Sequence, residues 1–171
     1  EINLPKVSVG ATENLMMAAT LAKGRTVLFN AAKEPEISDL GKFLNSMGAN
    51  ILGLGTDKIT IHGVKELIGT DYTVVNDRIE TGTYAIAAAI TGGNIKLQGA
   101  KADHLSSVFD ILSKSGVSII NEINSVVVSR SNKILPFDVA TQPYPGFPTD
   151  MQAQLMALLS LANGSSIITE N

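Results

Sequence analysis

Apolar and polar positions along this chain alternate between two kinds of helix. Residues 14–22 are rich in alanine, leucine and methionine and have almost no charged face. A helix apolar all round is expected to be buried all round. Residues 37–47 read differently: Ile37, Leu40, Phe43, Leu44 and Met47 form one stripe, with Asp39, Lys42 and Asn45 turned away. Only one face of that helix needs cover. Gly24 is placed to cap the first helix at its C-terminus, and Gly48 to stop the second. Strands are predicted over 26–29, 51–54 and 58–61, the last two joined by a tight turn at Gly55-Thr56-Asp57.

The same order is written twice and begun a third time. Ala18-Ala19-Thr20-Leu21-Ala22-Lys23-Gly24 recurs as Ile86-Ala87-Ala88-Ala89-Ile90-Thr91-Gly92, an offset of 68 residues. That offset aligns Val27 with Ile95, Phe29 with Leu97, Ile37 with Leu105, Leu40 with Val108, Leu44 with Leu112 and Gly48 with Gly116. A third copy opens at Leu158 and runs out after its first strand. Repetition at such a period marks a stack of like units. Each unit reads helix, strand, helix, strand, strand, at residues 12–62 and 78–129. The apolar helix, 14–22 or 83–90, is expected to be the more enclosed one of its unit. Val74-Val75-Asn76 reads as a short extended crossover, dividing the chain into 1–75 and 76–171. The fold class is α/β (α+β), with buried helices surrounded by sheets.

Composition narrows the chemistry. With 171 residues, 44% hydrophobic and 17% charged, the chain reads as globular and not disordered. A net charge of −3 argues against a nucleic-acid partner. No apolar run is long enough to cross a bilayer, and no signal-peptide pattern opens the chain. There is no cysteine, so neither a disulfide nor a thiolate nucleophile is available. His62 and His104 are isolated, and no metal site and no cofactor is expected.

Four stretches could carry chemistry. Pro143-Tyr144-Pro145-Gly146-Phe147-Pro148 is a stiff approach to Thr149-Asp150-Met151-Gln152-Ala153-Gln154-Leu155, because proline fixes φ and restrains the residue before it. Thr149 and Gln152 have capping-box spacing, and Asp150 falls in the first turn. Asp150 is then either an oriented carboxylate or only a complement to the helix dipole. In Lys6-Val7-Ser8-Val9-Gly10-Ala11-Thr12, Ser8 offers a hydroxyl, Gly10 a close approach to backbone, Lys6 a charge, and the helix start attracts anions. Ser8 or Thr12 as a plain N-cap explains the same residues. Asp77-Arg78-Ile79-Glu80 and Glu34-Pro35-Glu36 put acids at helix starts, where caps and dipoles already account for them.

The wording of these stretches goes further than their spacing. Phe147-Pro148-Thr149-Asp150-Met151-Gln152-Ala153-Gln154 closely resembles a signature of the UDP-N-acetylglucosamine enolpyruvyl transferases, enzymes of the first committed step of peptidoglycan synthesis. Lys6 to Thr12 and Asp77-Arg78-Ile79-Glu80-Thr81-Gly82-Thr83 fit the same family in the same order. The resemblance covers essentially the whole chain and implies a middle portion of a longer, cytoplasmic bacterial enzyme. It implies six units in two lobes, with a cleft between them and a lobe boundary near residue 75. It implies that Lys6, Val7, Ser8, Val9 and Gly10 line the sugar nucleotide, and that Thr149 and Asp150 lie at the sugar. Asp150 would be the base for the 3-hydroxyl, with Glu34 and Asp77 behind the contacting residues. The substrates would be UDP-N-acetylglucosamine and phosphoenolpyruvate. The family's mobile loop and the arginines that grip phosphoenolpyruvate fall outside these residues, so the chain alone is expected to be inactive and, with apolar faces uncovered, to self-associate. Two readings compete with this one: the related shikimate-pathway transferase, and a non-catalytic repeat domain.

Overall fold

The computed structural model describes residues 1–130 and 132–171. They divide into two compact units, Glu1–Val75 and Asn76–Asn171, each with its own apolar core.

The first unit runs β1 (Ile2–Asn3), α1 (Val9–Thr20), β2 (Arg25–Phe29), α2 (Pro35–Ser46), β3 (Asn50–Leu52) and β4 (Lys58–His62). Its sheet has the order β1-β2-β4-β3, with β1 parallel to β2 and the other pairs antiparallel. Period-2 alternation sends Ile59 and Ile61 of β4 inward beside Leu28 of β2, and Met16, Ile37 and Leu44 close over them. Gly48, at φ +98°, ends α2: the Ala49 amide reaches back to the Leu44 carbonyl and the Gly48 amide to that of Asn45. This double return is the Schellman arrangement, which needs a left-handed residue. Beyond the sheet, the Asp39 carboxylate accepts from the Tyr72 hydroxyl at 2.8 Å and from the Val75 amide at 3.2 Å, fastening residues 72–75 to α2. Burial, then the hydrogen bond to Asp39 and its charge, raises the Tyr72 hydroxyl above its usual pKa, so it stays a donor.

The second unit repeats this with α3 (Arg78–Thr91), β5 (Asn94–Gln98), a 3-10 turn over Ala102–Leu105, α4 (Ser106–Lys114), β6 (Ser118–Glu122) and β7 (Ser125–Ser129). It then opens the third copy with β8 (Val139–Ala140), a 3-10 turn over Thr149–Met151, α5 (Gln152–Leu159) and β9 (Ile168–Thr169). The sheet order β5-β7-β6 reproduces β2-β4-β3. Gly92 and Gly116 close α3 and α4 with the same Schellman returns, through Gly93 to Ala88 and Val117 to Leu112.

Several expectations change. The first helix begins at Val9, so the stretch 6–12 is half loop and half first turn, and it ends at Thr20 with Leu21 as cap. Gly24, at φ +93°, lies in the following turn and is not the cap. The first strand is offset by 69 residues between copies, Arg25 answering Asn94, and not by 68. The N-caps Ser8 and Asp77 are also 69 apart, so the second copy gains nothing before its strand and is one residue shorter between Gly99 and Leu105 than the first is between Asn30 and Ile37. A one-residue slip moves every side chain to the other face, so Leu28, not Phe29, corresponds to Leu97. Asn30 and Gly99, also 69 apart, both hold left-handed φ, +58° and +74°. The helix and glycine correspondences from Ile37 to Gly48 do hold at 68.

Nor is α1 enclosed all round. Thr12, Met16, Ala19 and Thr20 are buried, but Met17 is 44% exposed and Leu21 56%. In the second unit α3 is more enclosed, with Gly82, Ala85, Ile86, Ala88 and Ala89 buried, but not all round either, since Tyr84 is 57% exposed. The added cover is α5, which packs on α3. In the first unit α1 has only α2 and the sheet, so Met17 and Leu21 stay uncovered.

Candidate functional site

The candidate residues fall into two groups, one in each unit, and each is held by its own local chemistry.

In the first unit, Ser8 is the N-cap of α1, its Oγ accepting from the Ala11 amide at 3.3 Å. Thr12, fully buried, does more than cap and organises the surroundings. Its hydroxyl donates to the Ser8 carbonyl at 2.7 Å and accepts from the Ala32 amide at 3.0 Å. That links the head of α1 to the segment leading into α2, where Glu34 stands. Sequence carried one signal for this role, a threonine on the buried face of the helix. Glu34 occupies the N-cap position of α2 without a side-chain capping bond, and Pro35 takes N1. It is only 7% exposed, and its Oε2 has no hydrogen-bond partner. A buried carboxylate oxygen without a partner costs stability, and the positive end of the α2 dipole offsets part of that cost. Lys6, Val7 and Gly10 are exposed, while Ser8 and Val9 are half-buried. A Cβ at Gly10 would meet no neighbouring atom, so nothing in the unit itself requires glycine there.

In the second unit, Asp77 caps α3. Its Oδ1 accepts from the Ile79 amide at 2.7 Å and from the Glu80 amide at 3.1 Å. Asp150 is arranged otherwise. The capping box expected from Thr149 and Gln152 does not form: α5 is entered through a 3-10 turn, and no side chain caps it. Thr149 instead donates its hydroxyl to the Glu170 carboxylate. Asp150 is exposed, and it makes no hydrogen bond or ion pair with any described residue.

What fixes Asp150 is the residue after it. Met151 is fully buried beside Gly82 of α3, in the space that a Cβ at position 82 would take. Gln154, one turn on, donates to the Thr83 hydroxyl at 3.0 Å. The approaching loop is pinned too. Phe147 is buried, the Gly146 carbonyl accepts from the Ser107 hydroxyl at 3.0 Å, and the Arg78 guanidinium sits 5.7 Å from the Tyr144 ring centre. Asp77 and Asp150 therefore stand at the heads of two helices packed together. One carboxylate is spent on backbone amides and the other is free. A free, positioned carboxylate can accept a proton from a hydroxyl brought within hydrogen-bond reach. Among the described residues no group of three or more acids and histidines could hold a metal, and no helix is long and apolar enough to cross a membrane.

A family model described as EPSP synthase (3-phosphoshikimate 1-carboxyvinyltransferase) matches residues 1–171. The chain belongs to that family. Among curated relatives it is 57% identical to the UDP-N-acetylglucosamine 1-carboxyvinyltransferase of Gluconobacter oxydans, over 99% of this chain and 40% of the relative. It is 55% identical to UDP-N-acetylglucosamine 1-carboxyvinyltransferase 1 of Clostridium perfringens, over 100% of this chain and 41% of the relative. The chain thus spans about two fifths of the length of these relatives. Among solved structures, the enolpyruvyl transferase NikO of Streptomyces tendae matches 94% of the chain with a TM-score of 0.83 and 25% identity, covering 39% of that protein. EPSP synthase from Acinetobacter baumannii matches 98% of the chain at a TM-score of 0.61 and 21% identity, covering 40% of that protein, a likeness of fold alone. The inverse α/β repeat expected from the sequence is the fold of this family.

Proposed function

We propose that this chain is the part of a UDP-N-acetylglucosamine 1-carboxyvinyltransferase that carries one catalytic carboxylate and a strip of the sugar-nucleotide site. The observation that supports it most is 57% identity along 99% of the chain to a relative of that name, joined to an exposed Asp150 held by its neighbours and bonded to none of them. In this reading the Asp150 carboxylate takes the proton of the sugar 3-hydroxyl as that oxygen adds to C2 of phosphoenolpyruvate, whose C3 gains a proton. Loss of that proton and of inorganic phosphate from the adduct restores the double bond and leaves the enolpyruvyl ether. Lys6, Val7, Ser8, Val9 and Gly10 lie along the nucleotide: Lys6 supplies charge for the diphosphate, and the head of α1 supplies amides and a positive dipole end. Thr149 flanks the sugar, and Asp77 and Glu34 support these contacts from behind. The two units belong to two lobes of the longer protein, which works in the bacterial cytoplasm at the first committed step of peptidoglycan synthesis. The partners are small molecules only, no cofactor is called for, and the chain by itself does not turn over.

The experiment is Asp150→Asn in a protein of the relatives' length, with UDP-N-acetylglucosamine binding and phosphate release measured together. Binding should persist while turnover falls. Near-normal turnover in the variant would remove Asp150 from the reaction. Failure of the unsubstituted protein to bind the sugar nucleotide would overturn the whole reading.

A further inference from the structure

The first and third copies finish their edge strands with different residues, and the difference frees one carboxylate. In both copies the short strand is parallel to its neighbour, β1 on β2 and β8 on β9. In the first, the Leu4 amide donates to the Phe29 carbonyl at 3.1 Å, and the Asn30 side chain donates back to the Leu4 carbonyl at 2.9 Å. Thr141 stands in the place of Leu4, its amide donating to the Thr169 carbonyl at 2.9 Å. Here the return comes one residue later. The Asn171 side chain donates to the Thr141 carbonyl at 3.1 Å, and the Asn171 amide to the Thr141 hydroxyl at 3.0 Å. Glu170, in the place of Asn30, is released from that duty, and its carboxylate accepts from the Thr149 hydroxyl. Glu170 and Asn171 thus hold the two ends of the loop that delivers Asp150. Thr141, buried, opens this loop, the Gln142 amide folds it back onto the Phe147 carbonyl at 2.9 Å, and Thr149 closes it.

We propose that Glu170 is a positioning residue for Asp150, holding the Thr149–Asp150 peptide in place through the Thr149 hydroxyl. Asp150 is flanked by two anchors of different kinds, Thr149 bonded to Glu170 before it and Met151 buried against Gly82 after it. One anchor would leave the peptide between them free to swing, and two fix it. The Met151 amide, donating to the Pro148 carbonyl at 3.1 Å, closes the turn that both anchors maintain. Thr149 and Glu170 are both exposed, so their bond adds little to stability. What it supplies is aim. A base works only within hydrogen-bond reach of its proton, and a misplacement of about 1 Å costs about a hundredfold in rate. Groups behind a site hold it to that tolerance through their own bonds. The catalytic part of this role rests on the reading of Asp150 as the base, whereas the anchoring of the turn does not.

The test compares Glu170→Ala with Glu170→Gln, which keeps an acceptor oxygen for Thr149 and loses the charge. In a protein of the relatives' length, with phosphate release measured over a range of both substrates, Glu170→Ala should lower kcat about tenfold to a hundredfold. The KM for UDP-N-acetylglucosamine should rise by less than kcat falls. Glu170→Gln should stay within about twofold of the unsubstituted protein, because the bond survives. A second readout needs no activity. In the 171-residue chain, hydrogen exchange of the Met151 amide should quicken about tenfold in Glu170→Ala and hardly change in Glu170→Gln, as expected of a local opening. Exchange at Ala89, inside α3, should not respond, which separates a loosened turn from a destabilised unit. Full kcat in the alanine variant would overturn the proposal. So would an equal loss in both variants, since charge and not the bond would then matter, or a Met151 amide indifferent to Glu170→Ala. Should the unsubstituted protein neither bind the sugar nucleotide nor release phosphate, the reading of Asp150 falls, and exchange at Met151 still decides whether Glu170 holds the turn.

Discussion

Asp77 and Asp150 are two aspartates at the heads of two packed helices, and they are used in opposite ways. Asp77 accepts from the amides of Ile79 and Glu80 and so belongs to the backbone of α3. Asp150 accepts from nothing around it, because its helix is entered through a 3-10 turn and anchored by Met151. A carboxylate that satisfies helix amides is part of the scaffold. One held in place by a neighbour's burial remains available to a substrate. Spacing alone does not separate the two cases, since both aspartates sit at a helix start, where caps and the dipole already account for an acid.

The contrast is open to direct attack, beginning with the largest effect. Asp150→Asn in a protein of the relatives' length should lower kcat about a hundredfold to ten-thousandfold, the usual worth of a positioned base. The melting temperature should scarcely move, since no bond inside the chain is lost. Asp77→Ala should show the reverse emphasis, destabilising the chain by about 1 kcal/mol, as the loss of an N-cap does. Chemical denaturation of the 171-residue chain reads this, and an unchanged midpoint would mean that the cap carries no load. Ser8→Ala, which removes a single and longer capping bond, should cost about 0.5 to 1 kcal/mol by the same measurement.

Thr149→Ala sharpens the comparison further. A working capping box would make it as costly as Asp77→Ala, whereas the observed bond to the exposed Glu170 carboxylate predicts a loss of only a few tenths, about 0.3 kcal/mol. A fall as large as that of Asp77→Ala would restore the capping box.

Glu122 gives the smallest effect. On the sheet face its carboxylate accepts from the Lys96 ammonium at 2.7 Å and from the Ser125 hydroxyl at 2.6 Å, and these bonds, with the Lys96 charge, hold its pKa below the usual carboxylate value. A depressed folded pKa means stability present above the unfolded pKa and lost as pH falls through the folded one. Glu122→Gln should therefore narrow the gap between stability at neutral and at acid pH. Identical acid limbs in the two proteins would show that the pair is screened away.

The sequence by itself determined the repeat, the order of elements within each unit, and where α2 and α4 end. Those are local matters: Gly48 and Gly116 are left-handed stops whatever surrounds them, and the stripe from Ile37 to Met47 has one face to bury. The wording around Asp150, Ser8 and Asp77 also identified the family, since it specifies side chains and not merely periodicity. Tertiary structure decided the rest. The one-residue slip between Leu28 and Leu97 was invisible to an alignment led by the helix glycines, because Gly92 caps α3 whereas Gly24 lies in the turn beyond the cap of α1, so the two glycines are not equivalent. The difference between α1 and α3, equally apolar in sequence, arises because α5 packs on α3, whereas α1 has only α2 and its sheet. Thr149 lost its cap to Glu170, 21 residues away, and Asp150 kept a free carboxylate because Met151 found its pocket beside Gly82. Hydrophobic burial is set by which surfaces meet, and no local pattern records the partner.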